Sequence, residues 1–152
     1  MHVGRQAWRA AALTAAATAL TVSCGWAAAL YGSEVSADQL EGRWTDGSGT
    51  SLTFNSDRTF TSEHFDRLPV VADAGCSDPS VLSSGRWAFY ASSTTQADET
   101  ATRGSILSLD SSDDSCSVSA FFFGDDDPAM CPTDDPDANC PTGYFHRTGH
   151  GT

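Results

Sequence analysis

The chain contains no lysine. All eight basic residues are arginine, set against 20 Asp and Glu, for a net charge of −12. Arg5 and Arg9 sit in an N-terminal stub; beyond it, six arginines face the same 20 acids, a balance of −14. Such a surface repels phosphate backbones, which argues against a nucleic-acid partner. It offers no electrostatic attraction to anionic lipid headgroups either. The usual signatures of chemistry are also missing: no G-x-S-x-G, no H-E-x-x-H, no phosphate-cradling glycine loop and no haem motif. No two cysteines have C-x-x-C spacing, and none of His64, His146 and His150 stands at ligand spacing from a cysteine, so zinc has no signature. Charged residues make up 18% of the chain, too few for a fully disordered polypeptide. Its 152 residues suit one domain.

What the N terminus does have reads as an address. "MHVGRQAWR" is basic, and "AAALTAAATALTV" (residues 10–22) is a short apolar run, the plan of a secretory signal with a helical apolar segment. Extended through "SCGWAAAL", the run reaches about 20 residues, the length of a membrane-spanning anchor, although alanine supplies little transfer energy. The stretch Leu20-Thr21-Val22-Ser23-Cys24-Gly25 resembles a bacterial lipobox. That resemblance implies a signal peptide over 1–23, a lipidated Cys24 as the new N terminus, and a linker over 24–39. It also implies anchoring at the extracytoplasmic face of the cell membrane. Thr21 departs from the pattern, in which Leu is usual. An A-x-A pattern at Ala27-Ala28-Ala29 is the alternative, giving ordinary cleavage and secretion.

Five cysteines is an odd count for an exported chain. Lipidation of Cys24, or cleavage beyond it, leaves four, and four thiols form two disulfides in an oxidising compartment. Three pairings are available. Cys131 and Cys140 bracket the short loop "CPTDDPDANC" and are expected to pair, which leaves Cys76 with Cys116. On the chain-entropy argument the short loop contributes about 2.5–3 kcal/mol and the long one about 4 kcal/mol.

From Leu40 onward, short alternating apolar segments lie between Gly/Ser/Asp turns. Residues 51–54 alternate with period two, "NSDR" turns, and residues 59–62 return, a hairpin signal. Further strands are expected over 85–90, 105–109, 117–123 and 144–147, the segment 117–123 being buried at its end on both faces. No long segment has a 3.6-residue period. The expected fold is therefore all-β, a small antiparallel barrel or sandwich over residues 40–152. "Gly-Arg-Trp" occurs twice, at 42–44 and 85–87. Its simplest reading is a bend at each glycine and a Trp filling one end of the core.

The order Gly42-x-Trp44, Gly49-Thr50-Ser51-Leu52-Thr53-Phe54, Asp57-x-Thr59-Phe60, Cys76 and Gly85-x-Trp87, with the late Asp135-Pro136-Asp137 and Tyr144-Phe145-x-Arg147, resembles a group of uncharacterised actinobacterial lipoproteins with a lipocalin-like texture. Arg58 departs from it, where Gly is usual in the hairpin turn. The resemblance bears on location and fold and implies no activity.

Acidic clusters are the remaining feature. Asp135, Asp137 and Asn139 alternate as at the start of an EF-hand loop, but Cys140 follows where Gly is needed and His146 stands where Glu is needed. They stay a weak calcium candidate against the plainer reading of solvated turns. No other metal and no cofactor is expected. His64 or His146 could join a triad only through neighbours that a Ser/Asp-rich chain supplies by chance. The expectation is therefore a lipid-anchored, extracytoplasmic binding or envelope-interaction module that is not an enzyme, with an unknown protein or small-ligand partner. A lipocalin-like carrier of a small apolar ligand and a secreted hydrolase are the alternatives.

Overall fold

The computed structural model describes residues 32–90, 96–137 and 139–149. The leader, Cys24, Ala27–Ala29 and His150 lie outside the described residues. In chain order the elements are β1 Val35–Ser36, α1 Ala37–Leu40, β2 Gly42–Thr45, β3 Ser51–Phe54 and β4 Thr59–Glu63. A 3-10 turn at Phe65–Arg67, α2 Pro69–Asp73 and a 3-10 turn at Pro79–Ser83 follow. Then come β5 Ser84–Tyr90, β6 Ala97–Asp98, β7 Arg103–Gly104, β8 Ile106–Ser111, β9 Ser117–Phe123, β10 Ala129–Pro132 and β11 His146–Thr148.

Of the two expected architectures, the chain adopts the barrel. Eight strands pair antiparallel in the order β10-β9-β8-β5-β4-β3-β2-β11. The seam between β10 and β11 is a single bridge, in which Met130 and Phe145 exchange backbone bonds of 2.9 and 2.8 Å. Rolling a sheet up in this way removes its edges, which is how a short all-β chain avoids exposing unpaired backbone.

The period-two pattern decides what lies inside. Trp44 stands opposite Leu52, Phe54 opposite Phe60, Trp87 opposite Leu109 and Phe89 opposite Leu107, all buried. Six rings form a continuous run of contacts through the interior: Phe60, Phe54, Trp87, Phe89, Phe122 and Trp44, with successive centroids 5.6–6.5 Å apart in tilted or edge geometry. That geometry suits the aromatic quadrupole, and each ring removes a large apolar area from water.

The repeated Gly-Arg-Trp has a common outcome reached by different glycines. In both copies Trp points inward and Arg outward: Arg43 pairs with Glu63 at 2.8 Å, and Arg86 lies 3.4 Å from both Glu99 and Asp114. Gly42 makes the expected bend, with φ of +115°. A side chain there would also approach Nε of Arg147 to 3.2 Å. Gly85 has no such bend. Its value is space, because a Cβ would collide with the Asp110 carbonyl and come within 2.9 Å of the Phe60 ring. The two tryptophans do not fill opposite ends. The Trp44 indole N–H donates to the Leu40 carbonyl (2.8 Å) and that of Trp87 to the Asn55 carbonyl (3.2 Å), both at the mouth where β2 begins and β3 ends.

Arg58 explains its departure from Gly in the hairpin turn. It sits at φ +67°, a conformation that favours Gly, yet its side chain is used. The guanidinium carbon lies 4.4 Å from the Trp87 ring centroid, and Nη2 donates to the Ala101 carbonyl at 2.9 Å. Nη1 is buried without a hydrogen-bond partner, so the ring face supplies its electrostatic compensation.

Both mouths are capped. At the first, Val35 and Leu40 are fully buried. Ser36 and Gln39 form a capping box on α1: Ser36 Oγ accepts from the Gln39 N–H (3.3 Å) and Gln39 Oε1 accepts from the Ser36 N–H (2.9 Å). Residues 35–39, expected as linker, thus pack as part of the domain, because Val35 has an apolar site to enter. The segment 65–83 caps the other mouth with Phe65, Val71 and Leu82.

Candidate functional site

With the interior occupied, the features open to a partner lie outside. On β9 the inward positions are Val118, Ala120 and Phe122, all buried. The outward set is Ser117, Ser119, Phe121 and Phe123. Phe121 and Phe123 are half-buried on the outer face, where the sequence suggested burial on both faces of this strand end. The reason is parity: the strand has only one inner side, and Phe122 occupies it. Phe121 stands between Ile106 of β8 and Cys131 of β10, and Phe123 lies beside Ala129. Tyr144 completes the group. Its ring meets Phe123 edge-on at 5.9 Å, and it is 43% exposed, a large apolar side chain left open to solvent.

Aspartates fill the loops on either side of β10. Asp125, Asp126 and Asp127 form the turn that follows Phe123, and Asp125 accepts the Ser33 hydroxyl at 3.2 Å. Asp134, Asp135 and Asp137 lie in the loop that leads towards Tyr144. A disulfide between Cys131 and Cys140, with Cα atoms 5.8 Å apart, ties that loop to β10. The second disulfide joins Cys76 to Cys116 (Cα–Cα 5.2 Å) and fastens the capping segment to the turn between β8 and β9. The ion pairs among the described residues involve other groups: Arg43–Glu63, Arg86–Glu99, Arg86–Asp114 and Arg103–Glu34.

Asp135 uses its carboxylate to accept the Asp137 N–H at 3.0 Å, a turn contact, and Asn139 is exposed. Among the described residues no three His, Cys, Asp or Glu side chains converge as metal ligands. His64 is exposed at φ +60°, with Nδ1 3.1 Å from the Gly49 carbonyl. His146 is exposed on β11, two residues beyond Tyr144.

Five aspartates have a structural duty instead. In Asp46-x-Ser48, Asp57-x-Thr59, Asp78-x-Ser80, Asp98-x-Thr100 and Asp113-x-Ser115, the carboxylate accepts the hydroxyl two residues on at 2.6–2.7 Å. It also accepts that residue's backbone N–H at 2.8–3.1 Å. These are Asx-type turns, legible as Asp-x-Ser/Thr. The hydroxyls of Ser111 and Ser115 hold Asp113 down to about 2. Hydroxyl and amide bonds likewise lower Asp57, Asp78 and Asp98. At Asp46 burial acts upward, but the Ser48 and Thr50 contacts outweigh it and the net direction is down.

The sign of the linkage follows. A carboxyl whose folded pKa lies below its unfolded value near 3.9 stabilises the fold fully above that pH, and the contribution fades as pH falls through the folded value. Melting temperature is expected to fall from about pH 4 towards pH 2. In Asp113→Asn, which keeps an acceptor but loses the charge, the fall should be shallower. Thermal melts of both proteins from pH 5 to pH 1.5 check this; identical slopes would refute a role for Asp113.

Comparison of the chain with protein families, with curated proteins and with solved structures finds no match. The geometry therefore stands alone: an aromatic outer face, followed directly by Asp125–Asp127, on a nearly closed barrel. Among the described residues no helix is long and apolar enough to cross a membrane.

Proposed function

We propose that the protein is a lipid-anchored, extracytoplasmic interaction module that works through its outer surface and is not an enzyme. The observation that carries this reading is the run of six rings through the barrel. A carrier of small apolar ligands needs an interior of a few hundred Å³ free for its cargo, whereas here touching aromatic side chains line that axis. The capped mouths add to this, since Leu40 and Phe65 are fully buried at opposite ends. The two disulfides suit an oxidising compartment, in keeping with export. The lipobox-like stretch ending in Cys24 supports the anchor.

Titration with the fluorescent apolar probe N-phenyl-1-naphthylamine tests the closed interior. No saturable one-to-one binding is expected; saturable binding that quenches the buried tryptophans would favour the carrier. Intact mass of the membrane-extracted protein tests the anchor. Loss of residues 1–23 with an added diacylglyceryl group is expected, and an unmodified Cys24 would reject it.

A further inference from the structure

We propose that the outer face formed by Ile106, Phe121, Phe123 and Tyr144 docks a protein segment whose apolar side chains are flanked by lysine or arginine. This inference rests on the interaction-module reading and specifies its partner.

The face breaks the pattern of its own barrel. Outward positions elsewhere on the barrel are polar: Arg43 and Thr53 opposite each other on β2 and β3, Thr61 of β4 opposite Thr53, and Asp110 opposite Ser117 at the far end of the β8–β9 ladder. Among the described residues, outward positions turn aromatic at Tyr90, which ends β5, and at Phe121 and Phe123 of β9, where the long β10–β11 loop brings Tyr144 against Phe123. A contiguous apolar group on a largely polar outer surface is the usual mark of an interface, with aromatic side chains as its anchors.

Charge selects the partner. Asp125, Asp126 and Asp127 follow directly on Phe123, and Asp134, Asp135 and Asp137 add negative charge in the loop tied to β10 by the Cys131–Cys140 bond. The protein's own arginines that form ion pairs do so with Glu34, Glu63, Glu99 and Asp114. A cationic rim on the partner is therefore attracted, while phosphate-bearing surfaces, nucleic acid and anionic bilayer alike, are repelled. The face is also held in shape before binding. The Cys131–Cys140 bond and the Ser33–Asp125 contact fix its two loops, which lowers the ordering cost of association.

Three synthetic peptides test this on the mature chain: one alternating Val and Lys, one alternating Val and Glu, and one alternating Ser and Lys. The Val/Lys peptide is expected to bind about tenfold or more tightly than either of the others. Its NMR shift changes should centre on Phe121, Phe123, Tyr144 and Asp125–Asp127. Phe121→Ser with Phe123→Ser, and separately the exposed Tyr144→Ala, should weaken that binding while Arg43→Ala does not. Equal binding of Ser/Lys, equal binding of Val/Glu, or shift changes scattered round the barrel would each overturn the proposal. So would tighter binding to vesicles of phosphatidylcholine with phosphatidylglycerol than to the peptide. Failure here with no probe in the interior rejects only this surface. Saturable probe binding with the peptide result intact rejects only the closed-interior reading.

Discussion

Trp87→Ala is expected to destabilise the fold by about 3–5 kcal/mol, the range for truncating a buried large aromatic. The substitution acts at the middle of the ring sequence. Trp87 contacts Phe54 at 6.2 Å and Phe89 at 5.6 Å, so its loss separates the two halves of the core. It also strips the Asn55 carbonyl of its indole donor and removes the ring against which the Arg58 guanidinium lies. Arg58 Nη1 is already buried without a partner, so taking away the π face leaves a desolvated cation with less compensation. Trp87→Phe keeps a ring and loses the donor, and its cost should be clearly smaller. Urea denaturation of the three proteins reads the difference. A loss under about 1 kcal/mol for Trp87→Ala would mean that the ring sequence is not the core's main support.

Removing the Cys76–Cys116 bond by a double Ala substitution should cost about 4 kcal/mol on the chain-entropy argument, since the bond spans 40 residues. The Cys131–Cys140 bond spans 9, and its removal should cost about 2.5 kcal/mol. The longer bond has a second consequence. It holds the segment bearing Phe65, Val70, Val71 and Leu82 over one mouth, through a turn where the Cys116 carbonyl accepts the Ser111 N–H at 2.8 Å. Urea midpoints should fall further for the Cys76/Cys116 pair than for the Cys131/Cys140 pair. The reverse order would show that the capping segment is held by packing alone.

Strands were legible in the sequence wherever polar and apolar residues alternate, as at Ser51–Phe54, Thr59–Glu63 and Ser84–Tyr90. Barrel and sandwich were not separable, because the distinction lies in one contact, Met130 with Phe145, that no local pattern announces. The caps were harder still. α2 has five residues, too short for any period, although Pro69 at its start and Gly75 at φ +69° just past its end are the ordinary punctuation of a helix. The Ser36-x-x-Gln39 capping box lay within the stretch read as linker for the same reason. At β9 the three consecutive phenylalanines concealed the answer, whereas counting by twos from Val118 puts Phe121 and Phe123 outside. The acids divide likewise: Asp-x-Ser/Thr marks turns, and Asp125–Asp127 follow directly on the aromatic face.

The strand order also fixes how the chain must assemble. From β2 to β10 every ladder joins segments near each other in sequence, so the sheet grows by successive hairpins at low loop-closure entropy. Only β11 is different: three residues that must find β2 about a hundred positions away, with Thr148 Oγ1 reaching the Arg43 carbonyl at 3.1 Å. Closure is thus the most sequence-distant pairing along the barrel, made by the shortest strand on its path. Substitutions in β11 should chiefly accelerate unfolding and leave the folding rate almost unchanged, placing the protein's kinetic lifetime in this three-residue strand.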